Sequence, residues 1–174
     1  IGEGLGCPLQ PLPLRDPLDP ERQVWAAPLC HHDEANPSQP LGWQAAAWPL
    51  AEPLRELIGA PGPAGLRLPL AHFPEGVLRQ VLTLEVGPQD WSLFLPPLAR
   101  QPLESLLGVI AQASAAWSQP ELSGVLPLDT DGAWQVLGLT ADPGVLEVNL
   151  PVCPSWADYA GWMQALEEAG EAVG

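Results

Sequence analysis

Glu147 and Asn149 are the side chains whose types and spacing are best suited to chemistry. They lie two residues apart in the apolar segment 145–150, and because side chains alternate along a strand, both would lie on one face. Carboxylate and carboxamide oxygens are ligands that Mg²⁺ prefers, and Mg²⁺ in turn binds nucleotide phosphates. A strand that lines a polar hollow would make this pair a metal site, whereas an ordinary solvent-facing strand would give it no such role.

A second group of ligand-type side chains is consecutive: Cys30, His31, His32, Asp33 and Glu34. Thiolate and imidazole are ligands for Zn²⁺ and other transition metals. Adjacent residues in an extended chain point apart, however, and a thiol nucleophile needs a base that faces it and a third group that orients the base. The sequence therefore favours a surface segment here over a metal site or a Cys–His catalytic dyad.

Asp129, Asp131 and Gly132 resemble part of a calcium-binding loop. The full loop needs a bidentate Glu at its twelfth position, where this chain has Thr140. We therefore interpret the segment as a hairpin turn.

The charge balance of the 174-residue chain excludes several classes of function. Its six basic residues are all arginine, and they face 21 acidic residues, which gives a net charge of −15. Nucleic acid and anionic membrane surfaces both require clustered Lys or Arg, so neither is expected as a partner. Without lysine, the chain also has no phosphate-loop lysine, Schiff-base lysine or lysine general base.

Cysteine usage predicts a cytoplasmic location. Cys7, Cys30 and Cys153 are odd in number and irregular in spacing, unlike the disulfide framework of a secreted domain. The sequence shows neither a signal-peptide pattern nor a run of about 18 apolar residues that would span a membrane. Because the first residue is Ile1 rather than Met, we expect the chain to be processed or, preferably, cut from a longer protein.

Proline content predicts the domain organisation. Residues 1–40 are rich in proline and show neither helical nor strand periodicity, apart from a short apolar stretch at residues 23–28. This composition predicts an arm or irregular layer. Residues 41–174 are predicted to form one α+β domain that is part of a larger module. Its first elements are a short helix at 50–58 and a short edge strand at 66–70.

The periodicity of apolar side chains is clearer from residue 77 onwards. Residues 77–95 alternate on either side of a Gly-Pro turn, which predicts an antiparallel hairpin with Val81, Thr83 and Glu85 on one face. Residues 102–117 carry apolar side chains at helical spacing. Short strands and turns follow, and the number of strands favours an α+β fold with a mainly antiparallel sheet and helices packed on one face.

The last third of the chain predicts three strands and a helix. The strands are expected at residues 122–128, 134–140 and 145–150. Ser155 and Asp158 have the spacing of a capping box, which predicts that the terminal helix begins there.

Three strings of residues carry a resemblance to a known family. They are Gly-Pro-Ala-Gly-Leu-Arg-Leu-Pro-Leu at 62–70, Leu-Phe-Leu-Pro-Pro-Leu at 93–98, and Thr-Ala-Asp-Pro-Gly-Val-Leu-Glu-Val-Asn-Leu at 140–150. In order and spacing they resemble the bacterial amidoligase family found as the C-terminal part of large transglutaminase-like proteins. That family is similar to glutamine synthetase and glutamate–cysteine ligase. The resemblance implies ATP- and Mg²⁺-dependent activation of a carboxylate as an acyl phosphate, followed by attack of an amine.

The resemblance also implies roles for three residues. Glu147 and Asn149 match the family's acidic-x-Asn strand motif and would be ligands of the metal or the nucleotide. Arg67 matches the arginine of the first string. It would either bind a carboxylate or phosphate through two parallel hydrogen bonds or have a structural role at a sheet edge. The sequence departs from the family at residues 151–153, where a His is expected, and it reaches Gly174 without the expected Gly-rich, His-containing segment.

Two functions follow from these patterns. The first is a portion of an amidoligase, incomplete as a catalyst because one Glu and one Asn do not supply a site for two metal ions and a triphosphate. The second is a non-catalytic docking module that uses its eight Trp residues, a residue type enriched at binding hot spots. The expected partners are the remainder of the parent chain, a transglutaminase-like domain, or a peptide or protein substrate.

Overall fold

Two units make up the chain, and each is described by itself. The computed structural model describes residues 1–32, 41–116, 121–127 and 137–173. Unit 1 spans Ile1–Leu128 and unit 2 spans Asp129–Gly174. The structure therefore divides the chain at a different point from the boundary predicted at residue 40. The turn predicted at 129–132 and the first part of the strand predicted at 134–140 lie outside the described residues.

Six described strands of unit 1 form one sheet. They are β1 Leu12–Leu14, β2 Gln23–His32, β3 Gly42–Ala45, β4 Val81–Val86, β5 Trp91–Leu95 and β6 Glu121–Gly124. The sheet order is β1-β2-β4-β5-β6, and β3 pairs with the part of β2 beyond β4. Among these strands only β5 and β6 pair in parallel. Parallel neighbours require a crossover, and helix α1, Arg100–Ala113, lies between them in the chain.

One face of this sheet carries the main core. Residues opposite each other in the register share a face, and Val24, Ala26, Val81 and Thr83 are buried together there. The segment that follows β3 covers them with further buried side chains: Trp48, Leu50, Leu57, Ala64, Leu68 and Phe73. The hydroxyl of Thr83 is fully buried and finds no hydrogen-bond partner among the described residues.

The opposite face of the sheet packs against α1. The helix buries Leu103, Leu106 and Ile110, whose spacing of three and four residues places them on one stripe. Ile110 borders a small hollow together with Trp91 and Leu93 of β5. The sheet thus has an α-helix on one face and an irregular layer on the other, as the predicted α+β class requires.

Unit 2 consists of a hairpin and a helix. Strands β7, Gly138–Asp142, and β8, Val145–Asn149, pair antiparallel. Gly144 has a φ of 80° in the turn between them, a conformation that glycine adopts without a steric penalty. Helix α2 spans Trp156–Val173. Among the described residues, no helix combines the length and the apolar character that a membrane span needs.

Several elements agree with the sequence. The hairpin of β4 and β5 is confirmed, and Val81, Thr83 and Glu85 share one face of β4 as predicted. The cap of α2 is confirmed, because the Ser155 hydroxyl donates to the Asp158 carboxylate over 2.6 Å and accepts the Asp158 backbone N–H at 3.2 Å.

The first forty residues contribute more to the sheet than their composition predicts. Strand β2 contains the apolar stretch at 23–28 but continues to His32, and it pairs with three other strands. Pro28 lies where the partner of β2 changes from β4 to β3, so its missing N–H falls at the end of a ladder. This position explains how a proline is accommodated within a central strand.

The strand predicted at 66–70 and the helix predicted at 50–58 are wrong. The chain instead forms short 3-10 turns at Glu52–Leu54, Ala64–Leu66 and Leu70–His72. Gly65 lies directly over the ring of Phe94, where an added Cβ would come within 2.1 Å of the ring. Tertiary contacts of this kind override the local alternation of leucines.

Candidate functional site

Arg67 is buried inside unit 1, and its guanidinium group is hydrogen-bonded to other residues of the chain. Its side chain is 7% exposed and that of Asp16 is 2% exposed. Nη1 donates to Asp16 Oδ1 over 2.9 Å, and Nη2 donates to Asp16 Oδ2. Nε donates to the Gly62 carbonyl over 2.9 Å. The family resemblance implies that the guanidinium group of Arg67 could bind a carboxylate or phosphate ligand. In the structure, that group is hydrogen-bonded to Asp16 instead.

The electrostatics of this pair match its geometry. The hydrogen bond from Arg67 holds the pKa of the Asp16 carboxyl below its usual value, although burial opposes the shift. The same bond raises the pKa of Arg67. Nearby, the buried Glu85 accepts the Ala64 N–H over 2.8 Å. These contacts tie the segment after β1 and the 3-10 layer to the sheet, so Arg67 holds the fold together.

Glu147 and Asn149 lie on unit 2, next to each other on one side of β8. Their cross-strand neighbours are Thr140 and Gly138, and both side chains are exposed. Among the described residues, no group of three or more His, Cys, Asp or Glu side chains is arranged to hold a metal ion. The structure brings the two predicted ligands together but offers them as two oxygen donors rather than as a complete site.

A concave feature of unit 2 lies between β8 and α2. This unit 2 groove has a volume of about 810 Å³. Polar and apolar surface line it in about equal measure. The lining residues are Leu146, Val148, Leu150, Tyr159, Met163 and Leu166, with Asn149 and Glu167. Tyr159, Met163 and Leu166 recur at helical spacing along α2, a period that by itself indicates only one shared helix face.

Unit 2 exposes apolar side chains to an unusual degree. Trp156 is 80% exposed and Val152 is 95% exposed, while Met163 and Leu146 at the groove are 46% and 61% exposed. The Trp156 and Tyr159 rings stack with centroids 5.2 Å apart. Contiguous exposed apolar surface on a protein marks an interaction site more often than single exposed side chains do.

The charge around the groove has one sign. Residues 137–173 contain no Lys, Arg or His. They contain six acidic residues: Asp142, Glu147, Asp158, Glu167, Glu168 and Glu171. All six arginines of the chain precede residue 101, so unit 2 holds no cation of its own to neutralise these carboxylates.

The surface segment that the sequence favours at residues 30–34 is wrong for its described part, because Cys30, His31 and His32 belong to strand β2 and Cys30 is buried. The strand also brings together two side chains whose contact the sequence did not predict. Cys30 Sγ lies 3.1 Å from His32 Nε2, because residues two apart on a strand share a face. Burial raises the pKa of the Cys30 thiol, and the charge of Cys7 raises it further. A raised pKa is the opposite of the lowered pKa that activates a cysteine nucleophile. Asp33 and Glu34 lie outside the described residues.

Comparisons with protein-family models, with curated proteins and with solved structures find no match for this chain. The resemblance to amidoligases therefore stays a prediction, and the functional argument depends on the geometry of the chain itself.

Proposed function

We propose that the chain is a docking module that binds a peptide segment of another protein, or of the remainder of its parent chain, in the unit 2 groove. The observation that carries this proposal is the burial pattern of unit 2. Its hairpin and helix carry large apolar side chains, yet none of its described residues is buried, whereas the core side chains of unit 1 are.

The energetics support an intermolecular role for this surface. Burying one Leu, Met or aromatic side chain stabilises a structure by about 1.5–3 kcal/mol. Several neighbouring apolar side chains of unit 2, including Leu146 and Met163, remain exposed and do not contribute this stabilisation. A segment that enters the groove would remove these side chains from water and would complete a core that the hairpin and helix do not make alone.

The residue types at the groove also fit recognition. Tyr and Trp dominate binding hot spots because they supply a large rigid surface and a polar tip. Tyr159 lines the groove and stacks on Trp156 beside it. The stack fixes both rings before a partner arrives, which lowers the conformational entropy lost on binding.

A display library of random peptides tests the proposal on the full chain. The groove variant combines Tyr159→Ala and Met163→Ala, because alanine removes both anchors and keeps helix propensity. The matched control is Leu66→Ala, which removes an exposed apolar side chain, 66% exposed, from unit 1. We expect clones that the wild type and the control both enrich but that the groove variant does not. Enrichment no better than on the uncoated support, or equal enrichment by the groove variant, would contradict the proposal.

A portion of an ATP- and Mg²⁺-dependent carboxylate–amine ligase is the second candidate function. The observation that favours it is the exposed Glu147 and Asn149 pair on one side of β8. Two oxygen donors do not make a metal site, so other ligands would have to come from outside the described residues. Titration calorimetry with Mg–ATP tests this candidate: binding lost in Glu147→Ala and kept in Glu121→Ala, an exposed strand glutamate of unit 1, would support it. Absence of binding at about millimolar ATP would contradict it.

We also propose a cytoplasmic location, supported by the three free cysteines. Unpaired thiols persist in reducing compartments. The acidic net charge supports the proposed lack of nucleic acid and anionic membrane partners. Thiol titration of denatured protein, isolated without reductant and with free thiols blocked at lysis, should find all three cysteines blocked. A disulfide in that preparation would contradict the location.

A further inference from the structure

We infer that the segment bound in the unit 2 groove is cationic and amphipathic, with one apolar face and with Lys or Arg beside it. The inference rests on the proposed docking function and adds the chemical class of the partner. The groove lining specifies the apolar face, because five of its eight residues are aliphatic and a sixth, Tyr159, contributes an aromatic ring. The carboxylate of Glu167, the one charged side chain among these lining residues, specifies the rest.

The first charge argument is complementarity. Glu167 lines the groove, and Glu168 and Glu171 follow on the same helix. In unit 1, arginines pair with carboxylates, as Arg22 does with Asp90 over 2.9 Å. Unit 2 has no basic residue that could do the same. Complementary charge on a partner both speeds its approach and orients it in the groove.

The second charge argument comes from the helix itself. Like charges three or four residues apart on a helix are destabilising by about 0.2–0.5 kcal/mol. Glu171 lies four residues from Glu167 and three from Glu168 on α2. Glu168 accepts a hydrogen bond from Gln164 over 2.8 Å, which leaves its charge in place. Cations of a bound segment would relieve this repulsion.

The same charges argue against other occupants. A second copy of this chain would bring a net charge of −15 against an acidic surface. Three of its six arginines are also held in ion pairs with its own carboxylates: Arg67 with Asp16, Arg22 with Asp90 and Arg55 with Glu52. An acidic or neutral apolar segment would fill the walls but leave the carboxylates of α2 unpaired.

Defined peptides test the inference by fluorescence anisotropy with the full chain. The probe is a labelled helical peptide of Leu and Lys with all Leu on one face. Its two controls are the same peptide with Glu in place of Lys and a scrambled peptide of the same composition. We expect the amphipathic Lys peptide to bind at least about tenfold more tightly than either control. Raising NaCl from about 0.05 to 0.5 M should weaken it by a similar factor, because salt screens exposed charges.

Variants of the chain locate the binding. The groove variant should weaken the Lys peptide by about tenfold or more, since it removes two anchors. Glu167→Gln should weaken it by a few-fold, and Glu3→Gln, an exposed carboxylate of unit 1, should not change it. Equal binding of the Lys peptide by the groove variant would show general attraction to an acidic protein and would overturn the inference.

The remaining outcomes separate this inference from the proposed function. If the library yields clones that need the groove but carry no excess of Lys or Arg, the docking function stands and the cationic partner is wrong. If neither the library nor the Lys peptide binds, both are wrong. A concentration-dependent dimer that the groove variant abolishes would assign the groove to a second copy and would overturn the cationic partner.

Discussion

Helices α1 and α2 are stabilised in opposite ways. Helix α1 follows Ala99, which makes no side-chain capping bond, but it buries Leu103, Leu106 and Ile110. Helix α2 has the Ser155–Asp158 cap, yet none of its described side chains is buried. The comparison shows that tertiary packing fixes unit 1, whereas local signals form the elements of unit 2 and leave its apolar side chains available to a partner.

The sharpest test of this comparison is hydrogen exchange. Amides of β2 lie in a sheet with partners on both sides, whereas β8 belongs to a two-stranded hairpin. Protection follows the free energy of local opening. We expect protection factors in β2 to exceed those in β8 by about a thousandfold or more. Mass spectrometry of the full chain measures both, and similar protection in the two strands would remove the contrast between the units.

The next largest effect concerns the buried ion pair of unit 1. Asp16→Ala leaves the Arg67 guanidinium buried without a counter-charge, and arginine does not lose its proton. We expect a loss of about 3–5 kcal/mol in the free energy of unfolding. Urea unfolding followed by near-ultraviolet circular dichroism measures this loss.

Two further variants make the ion-pair prediction specific. Asp19→Ala removes a half-exposed carboxylate next to Arg22 and should change stability by less than about 1 kcal/mol. Asp16→Leu combined with Arg67→Met should recover most of the loss, because an apolar pair needs no counter-charge. A mild effect of Asp16→Ala would show that the pair is not buried as described.

A pair of leucine truncations compares the units directly. Leu106 is fully buried in unit 1, and Leu146 is 61% exposed in unit 2. Leu106→Ala should cost about 2–5 kcal/mol, the usual range for a cavity in a packed core. Leu146→Ala should change stability by about 0.5 kcal/mol or less. Equal losses in chemical denaturation would mean that Leu146 is buried by a contact that its exposure does not reveal.

The smallest effect in this series concerns the caps. Ser155→Ala removes the acceptor of the Asp158 N–H and should cost α2 about 0.5–2 kcal/mol. Ala99→Ser offers α1 a cap that it lacks and should gain no more than about 1 kcal/mol. Far-ultraviolet circular dichroism at rising temperature measures both. A larger effect at Ala99 than at Ser155 would reverse the comparison.

The sequence predicts those parts of the fold that depend on neighbours in the chain. The alternation around residue 83 gave the correct faces of the β4–β5 hairpin, and the Ser155–Asp158 spacing gave the start of α2. Both signals act over a few residues, and local hydrogen bonding and side-chain alternation are properties of the chain itself. The helical spacing of Tyr159, Met163 and Leu166 is a local property of the same kind, whereas the exposure of that face is not visible in the sequence.

Contacts between distant segments were not predictable in this way. Leucines at 66, 68 and 70 suggested a strand, but Arg67 between them bonds to Asp16, which lies 51 residues earlier. That bond and the close approach of Gly65 to Phe94 hold the segment in 3-10 turns. The groove depends in the same way on how α2 lies against β8, so only its α2 residues could be read from a period.

The buried hydroxyl of Thr83 lowers the stability of unit 1. Its hydroxyl lies among apolar side chains and has no hydrogen-bond partner among the described residues, although an unsatisfied buried polar group costs about 1–3 kcal/mol. Valine has nearly the same shape and no such group. Thr83→Val should therefore raise the melting temperature, and it would offset part of the stability that other substitutions in this chain remove.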